Sequence, residues 1–504
     1  MGIRPLLLFA GAGAFIWAMA RWRLAVQVVM VLLVVEGAIR KWLFPGAQDL
    51  VYLAKDVIVV GIYLGFMRER SQSRYQLPAL PTLYSALGLG ALVGVLQIFN
   101  PKLPNLLVGV FGFKAYFLYV PLLFVLPAAF RTDRELILFL RRYILLSIPV
   151  GLLAVAQFFS STSSPLNTYA RPEEAAAGAM SNGSGYVSTF GSSEYVRVTA
   201  TFSYITGYGS YLVAMTILVL AYLAATRWRL RRSLAAHVAL GMAMLGMLMT
   251  GSRGPVLMLA LLFPIYWWLA VMRGGDAGAT FGRLLLGGAM LSIMLVSVGS
   301  DALGAFLGRA SGTTDVAGRI LDQLTAGFDI LPDAGPVGYG IGATHQTAAA
   351  FTQGLAPYHW LHGLGTESET GRVMLELGPL GFLLVYFVRL YLIGFALRQV
   401  FVVRTPFHRA LATACLLFFL AQLLGSVVFD VTSDLYYWFF GGLLLTAMRL
   451  DRLAVLAATR GAAAPARPLP PRPAPVPVGA PAASHPGLRR AGGGAAGSGG
   501  HRWP

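Results

Sequence analysis

Charge is scarce in this chain. Only 12% of the 504 residues are Asp, Glu, Lys or Arg, while 57% are hydrophobic and the mean hydropathy is +0.67. Soluble globular domains carry about a quarter charged residues, so water is excluded as the main solvent. Cysteine is reduced to one residue, Cys415, inside an apolar run, which excludes a disulfide framework and a thiolate metal centre. Lysine is nearly absent, and no lysine follows the glycine spacing of a phosphate loop. The chain is therefore not read as an ATPase. Acidic residues are also few, 21 against 39 Lys and Arg, for a formal net charge of +18. Such a balance fits nucleic acid or anionic lipid. The arginines fall in short clusters between apolar runs, which is the positive-inside pattern of a membrane protein and argues against nucleic acid.

What the chain has in abundance is apolar length. Runs extend over approximately 5–20, 24–39, 54–67, 79–98, 109–130, 137–158, 207–225, 234–250, 254–272, 284–300, 373–397, 407–429 and 434–449. About 20 apolar residues at 1.5 Å rise cross the ~30 Å hydrocarbon core, and only helices or closed barrels satisfy their backbone there. Barrels alternate in segments of about 10 residues, a pattern these runs lack. The expected fold is an all-α, polytopic transmembrane helical bundle of about 12–13 spans. The first run follows only Arg4 and precedes Arg21 and Arg23, the reverse of signal-peptide flanks, so it is read as a span.

Basic clusters at Arg68, Arg70 and Arg74, at Arg131, Arg134, Arg141 and Arg142, and at Arg227, Arg229, Arg231 and Arg232 mark inside loops. Loops 99–108, 159–206, 301–372 and 430–433, with the Gly251–Gly254 turn, then fall outside. The organisation expected is N-terminal spans over 1–158, an outer loop 159–206, central spans 207–300, a large outer loop 301–372, C-terminal spans 373–450 and an inside tail 451–504. The large loop is expected to hold short helices and to carry function. From about Ala462 the tail is Pro, Ala and Gly rich with scattered arginines, a composition that cannot bury a core and suits contact with anionic lipid.

Three groups of residues could carry chemistry. Arg197, Arg253 in Thr250-Gly251-Ser252-Arg253-Gly254, Arg309 and Arg319 lie on the expected outer face, where several planar guanidinium forks make an anion site. The alternative for each is a solvated or snorkelling arginine. A second group, His359, His362, Glu367 and Glu369, could take a proton from a substrate hydroxyl, or the two acids could simply favour the start of the following helix. The third is charge at membrane depth: Glu36, Arg40, Lys41, the neighbours Lys55 and Asp56, and Lys114. Mutual pairing, including local neutralisation of Lys55 by Asp56, is one reading; contact with a substrate headgroup through Lys114 is the other. Gly338-Tyr339-Gly340-Ile341-Gly342 follows no strand and is read as a turn allowing close backbone approach rather than a nucleotide loop.

Three stretches together resemble the O-antigen ligase and O-antigen polymerase family of bacterial membrane proteins. They are Arg197-Val198-Thr199-Ala200-Thr201-Phe202-Ser203, Thr250-Gly251-Ser252-Arg253-Gly254, and the region from Arg319 through Gly338–Gly342 to Glu376-Leu377-Gly378-Pro379-Leu380-Gly381. The resemblance covers about residues 190–450. It implies a multi-pass protein of a bacterial cytoplasmic membrane, a metal-independent and cofactor-free glycosyltransferase of the membrane-embedded C type. The donor implied is undecaprenyl-diphosphate-linked glycan, with other polysaccharide-assembly proteins as possible partners. Arg253 and Arg319, with Arg197 beside them, would bind the diphosphate, and a group among Glu367, His362 and Glu369 would handle the acceptor. One departure is visible: the family's usual His-Asn pair is replaced at Glu367, which tilts the resemblance from lipopolysaccharide ligase toward polymerase of O-antigen or exopolysaccharide repeats. A transporter of lipid-linked sugars and a noncatalytic scaffold of polysaccharide export are the competing classes.

Overall fold

The computed structural model describes residues 3–72, 78–167, 188–190, 195–226, 230–272, 278, 282, 300–311, 316–345, 368–423 and 425–463. Among these residues the regular secondary structure is helical, apart from one isolated antiparallel bridge between Thr189 and Val196. Residues Met1–Ala457 form one compact unit, which holds the bundle.

Among the described residues six helices are long and apolar enough to cross a membrane: Trp22–Leu43, Gln48–Ser71, Pro81–Ile98, Asp133–Phe158, Ile205–Ala225 and Glu369–Val402. Leu106–Phe117 with Leu122–Ala129 makes a seventh if this pair, bent by 43°, counts as one span. Four shorter apolar helices, Pro5–Ala20, Ser233–Met249, Arg253–Leu269 and Pro406–Ala421, accompany them. The expected count is 12–13; among the described residues six or seven helices are long enough to span, and four more are apolar but shorter. Several runs that look continuous by apolarity are shorter or broken as helices, and run 284–300 lies outside the described residues save for its last position. The run expected over 407–429 stops at Ala421, and 422–430 is irregular chain where it is described.

Burial follows the solvent expected for such helices. In Pro81–Ile98 only Leu83, Ala86, Gly94 and Gln97 are buried, while Leu89, Leu92 and Leu96 stand exposed on its outer side. The Glu369–Val402 helix likewise turns Leu380, Leu383, Phe387 and Leu390 outward. An apolar belt of this kind is stable against acyl chains and costly against water. The protein is a multi-pass helical membrane protein by these features.

Two breaks in the helices shape the end of the bundle. The Trp22–Ala38 helix runs into a π turn, Ile39–Leu43, which carries Arg40. The Glu369–Val402 helix is interrupted at Gly378, with φ +65° and Pro379 next. Gly378 ends the first segment in a conformation that L side chains resist, and Pro379 can begin a helix but cannot continue one. Gly338, φ +78°, comes from the other side: a Cβ there would sit 2.7 Å from the Glu376 carbonyl oxygen. Two backbones meet where only glycine lets them.

Candidate functional site

Nearly every loop assigned to the outer face by its charge pattern contributes to one place. A cavity of about 680 Å³ is lined by the end of the Trp22–Ala38 helix and its π turn, the start of the Gln48–Gln72 helix, Arg197, residues 202–207, Ser252, His345, Arg372 and residues 429–432. Among the described residues five helices begin beside it, at Gln48, Ile205, Arg253, Glu369 and Val431. A helix start carries a partial positive charge, so the fold itself adds to the attraction of an anion there.

The cationic side chains fall in three sets. Arg197 reaches the cavity from the segment after the Thr189–Val196 bridge, and its Nε donates to the Thr250 carbonyl at 2.9 Å. Val198 N donates to the Met249 carbonyl at 3.1 Å. The Arg-Val-Thr and Thr-Gly-Ser-Arg-Gly stretches, separate in sequence, are thus one unit in space. Gly251, φ +62°, suits the turn, since L side chains resist that conformation and a Cβ would lie 2.7 Å from the Phe190 ring and 3.0 Å from Arg197 Nε. Ser252 lines the cavity; Arg253, the first residue of the following helix, is half-buried beside it and is not among the lining side chains.

The second set surrounds Tyr52. Its ring lies 3.9 Å from Lys55 Nζ, 4.7 Å from Lys114 Nζ and 5.2 Å from the Arg40 guanidinium carbon. Glu36 pairs with Lys55 at 2.7 Å and with Arg40 at 3.6 Å, while Asp56 pairs with Lys114 at 2.5 Å and accepts from Tyr119 Oη at 2.6 Å. Lys55 and Asp56 therefore do not neutralise one another; adjacent helical residues point apart, and each finds its partner on a different helix. Three cations against two carboxylates leave this cluster positive.

Arg372 and His345 form the third set. Arg372 donates from Nε to Thr344 Oγ1 at 3.1 Å and from Nη2 to the Thr344 carbonyl at 2.7 Å, with its guanidinium carbon 3.5 Å from the Phe429 ring centroid. His345 follows Thr344 at the end of the glycine-rich turn. Burial, with the positive charges of Arg372 and Lys114, pushes its imidazole down to about 4, so it is neutral at physiological pH. Asp430 completes the wall: it accepts from Ser433 Oγ at 2.8 Å, Ser210 Oγ at 3.0 Å and Thr432 N at 3.1 Å. Burial raises its pKa despite those hydrogen bonds.

The sequence-derived candidates divide. Arg197 lines the cavity, and Arg253 stands at its edge. Arg319 lies on the Val316–Asp329 helix, with its side chain outside the described residues, as is that of Arg309. His359, His362 and Glu367 lie outside the described residues altogether. Glu369 is buried and committed elsewhere: one carboxylate oxygen pairs with Arg389, the other accepts from Val428 N at 2.8 Å. That geometry makes Glu369 a clamp between its helix and the 425–430 segment rather than a group facing the cavity. Glu369 does lie in the first turn of its helix, where an acid favours the positive end of the dipole, and the N-cap is Ser368, whose Oγ accepts from Gly371 N at 3.1 Å. Arg372, His345 and Asp430 have no part in any site read from the sequence, and Arg40 appears there only among the charges at membrane depth. Sequence offered a hint only for His345, three residues beyond a run of alternating glycines.

No family model, no curated protein and no solved structure matches the chain.

Proposed function

We propose that the protein is a membrane glycosyltransferase that polymerises undecaprenyl-diphosphate-linked oligosaccharide repeats into O-antigen or exopolysaccharide at the outer face of a bacterial cytoplasmic membrane. One observation carries the reading: Arg40, Arg197, Arg372 and Lys55 line a single cavity at the end of the bundle where five helices begin. A diphosphate on a lipid is the anion that such a place suits, because its chain stays in the bilayer while its charge reaches fixed guanidinium groups.

In this mechanism an acceptor hydroxyl attacks the anomeric carbon of the donor glycan. The bond from that carbon to the phosphate oxygen breaks, and its electron pair leaves on the lipid diphosphate. Arg197 and Arg372, held by carbonyl and aromatic partners before substrate arrives, stabilise the departing charge; Arg253 and Arg319 extend the same role. His345, uncharged, accepts a hydrogen bond from a sugar hydroxyl without adding charge. The acceptor proton passes to Glu367 or His362, the groups that the sequence supplies within the large loop.

The test is chain-length analysis of surface glycan on denaturing gels. A deletion strain is complemented at matched membrane expression with wild type, Arg197→Ala, Arg372→Ala, Arg253→Ala or Glu367→Gln. Long chains with wild type and single repeats with the cavity variants support polymerisation. Long chains with Arg197→Ala and Arg372→Ala alike end it.

A further inference from the structure

We propose that Glu376 is a positioning residue for the cavity, acting through Thr344 to fix both Arg372 and His345. The proposal rests on the glycosyl-transfer reading for its activity readout alone.

Glu376 is fully buried, at 0% exposure, and does not line the cavity. Its carboxylate meets three donors from the glycine-rich turn. Oε1 accepts from Thr344 N at 2.8 Å and from Thr344 Oγ1 at 2.6 Å, and Oε2 accepts from Gly342 N at 3.0 Å. The turn is bound again through the main chain, with Gly340 N on the Glu376 carbonyl at 3.0 Å and Tyr339 N on the Leu375 carbonyl at 2.8 Å. Thr344 then passes the constraint on. Its hydroxyl proton is given to Glu376, which leaves the oxygen lone pairs and the carbonyl for the two Arg372 contacts. His345, the next residue, is tied back by its own N to the Gly342 carbonyl at 3.0 Å.

Close packing already seats the turn. Gly342, φ +88°, lies so near the Leu106–Phe117 helix that a Cβ would be 2.5 Å from the Val108 carbonyl oxygen and 2.7 Å from Gly112 Cα. What packing leaves undecided is the orientation of the Thr344 peptide and hydroxyl, and with them the direction of the Arg372 fork. A carboxylate is costly to bury, and here both of its oxygens are engaged by the segment that sets those two directions. Small errors in the placement of catalytic groups cost about a hundredfold in rate.

The experiment uses the full chain in lipid nanodiscs with three readouts: affinity for inorganic pyrophosphate by calorimetry, carbethoxylation of His345 by mass spectrometry, and transfer from a lipid-linked oligosaccharide. Glu376→Gln replaces one acceptor oxygen by an NH₂ that opposes the donors of the turn. Thr344→Val keeps the Thr344 N–H bond to Glu376 and removes only the hydroxyl relay. Both variants are expected to weaken pyrophosphate binding about tenfold, to change the His345 modification rate and to lower transfer about a hundredfold, with Thr344→Ser restoring all three. Wild-type pyrophosphate affinity and His345 reactivity in both variants, with or without a lower thermal midpoint, overturn the proposal. If wild type transfers no glycan while the variants still lose pyrophosphate affinity and alter His345, positioning stands and the glycosyl-transfer reading falls.

Discussion

Arg372 lies against the face of Phe429, 3.5 Å from guanidinium carbon to ring centroid, while two of its nitrogens are held by Thr344. Stacking and fork together leave the side chain little freedom, so a substrate oxyanion meets a donor that has already lost its rotamer entropy.

Arg372→Lys keeps the charge but gives up both the planar fork and the stacking. Transfer should fall about 10²-fold, the scale of losing one preorganised anion donor, and pyrophosphate affinity should fall with it. Phe429→Leu, which keeps the fork, should cost less than Arg372→Lys in both measurements. Equal affinity of Arg372→Lys and wild type in calorimetry would mean that charge alone is used.

The break at Gly378 admits a separate check. Alanine there must hold φ near +65° and place its Cβ 2.8 Å from the Val337 carbonyl carbon. Strain of about 1–2 kcal/mol adds to a backbone clash, so Gly378→Ala should lower the thermal midpoint in detergent by several degrees. Gly394→Ala, where a Cβ meets nothing within 4 Å, is the control in the same helix and should leave it unchanged.

Much of the bundle was legible because apolar length and arginine placement obey the bilayer directly. Four of the five segments chosen by charge pattern, all but 99–108, contribute residues to the cavity, while its wall from Leu33 to Lys55 belongs to none of them. Helix ends were less legible: run 407–429 continues its apolarity past Ala421, yet the chain leaves the helix there and Phe429 packs on Arg372 instead. Partners across helices were hidden as well. Lys55 and Asp56 are neighbours in sequence, and only the approach of two other helices gives Glu36 to one and Lys114 to the other. Arg197 and Thr250 were each visible in a motif; their contact needed the fold.

The buried pair Glu36 and Lys55 predicts an asymmetric double-mutant cycle. Lys55→Met leaves Glu36 only the more distant Arg40, at 3.6 Å, of its two ion-pair partners, and an undercompensated buried carboxylate costs about 3–5 kcal/mol. Adding Glu36→Gln should return a large part of that loss, because it removes the stranded charge. Thermal midpoints of the two single variants and the double in one detergent decide it. Additive losses would mean that the pair is not energetically coupled.

His345 carries the pH prediction. Its folded value of about 4 lies below the ~6.5 of an unfolded histidine, so between those values the unfolded chain binds more protons than the folded one. Stability from the neutral ring is therefore complete above about pH 6.5 and is lost as pH falls toward 4. Across that window it amounts to ~3 kcal/mol at ~1.4 kcal/mol per pH unit. Replacing the ring by His345→Asn should narrow the fall in thermal midpoint between pH 7 and pH 4.5 relative to wild type. Transfer activity should show no inflection near pH 6.5 that disappears in His345→Asn, since the ring is already neutral there. An imidazole titration followed by NMR that places His345 between 6 and 7 would contradict its enclosure by Arg372 and Lys114, and with it the reason that an uncharged donor-acceptor stands among the cations of the cavity.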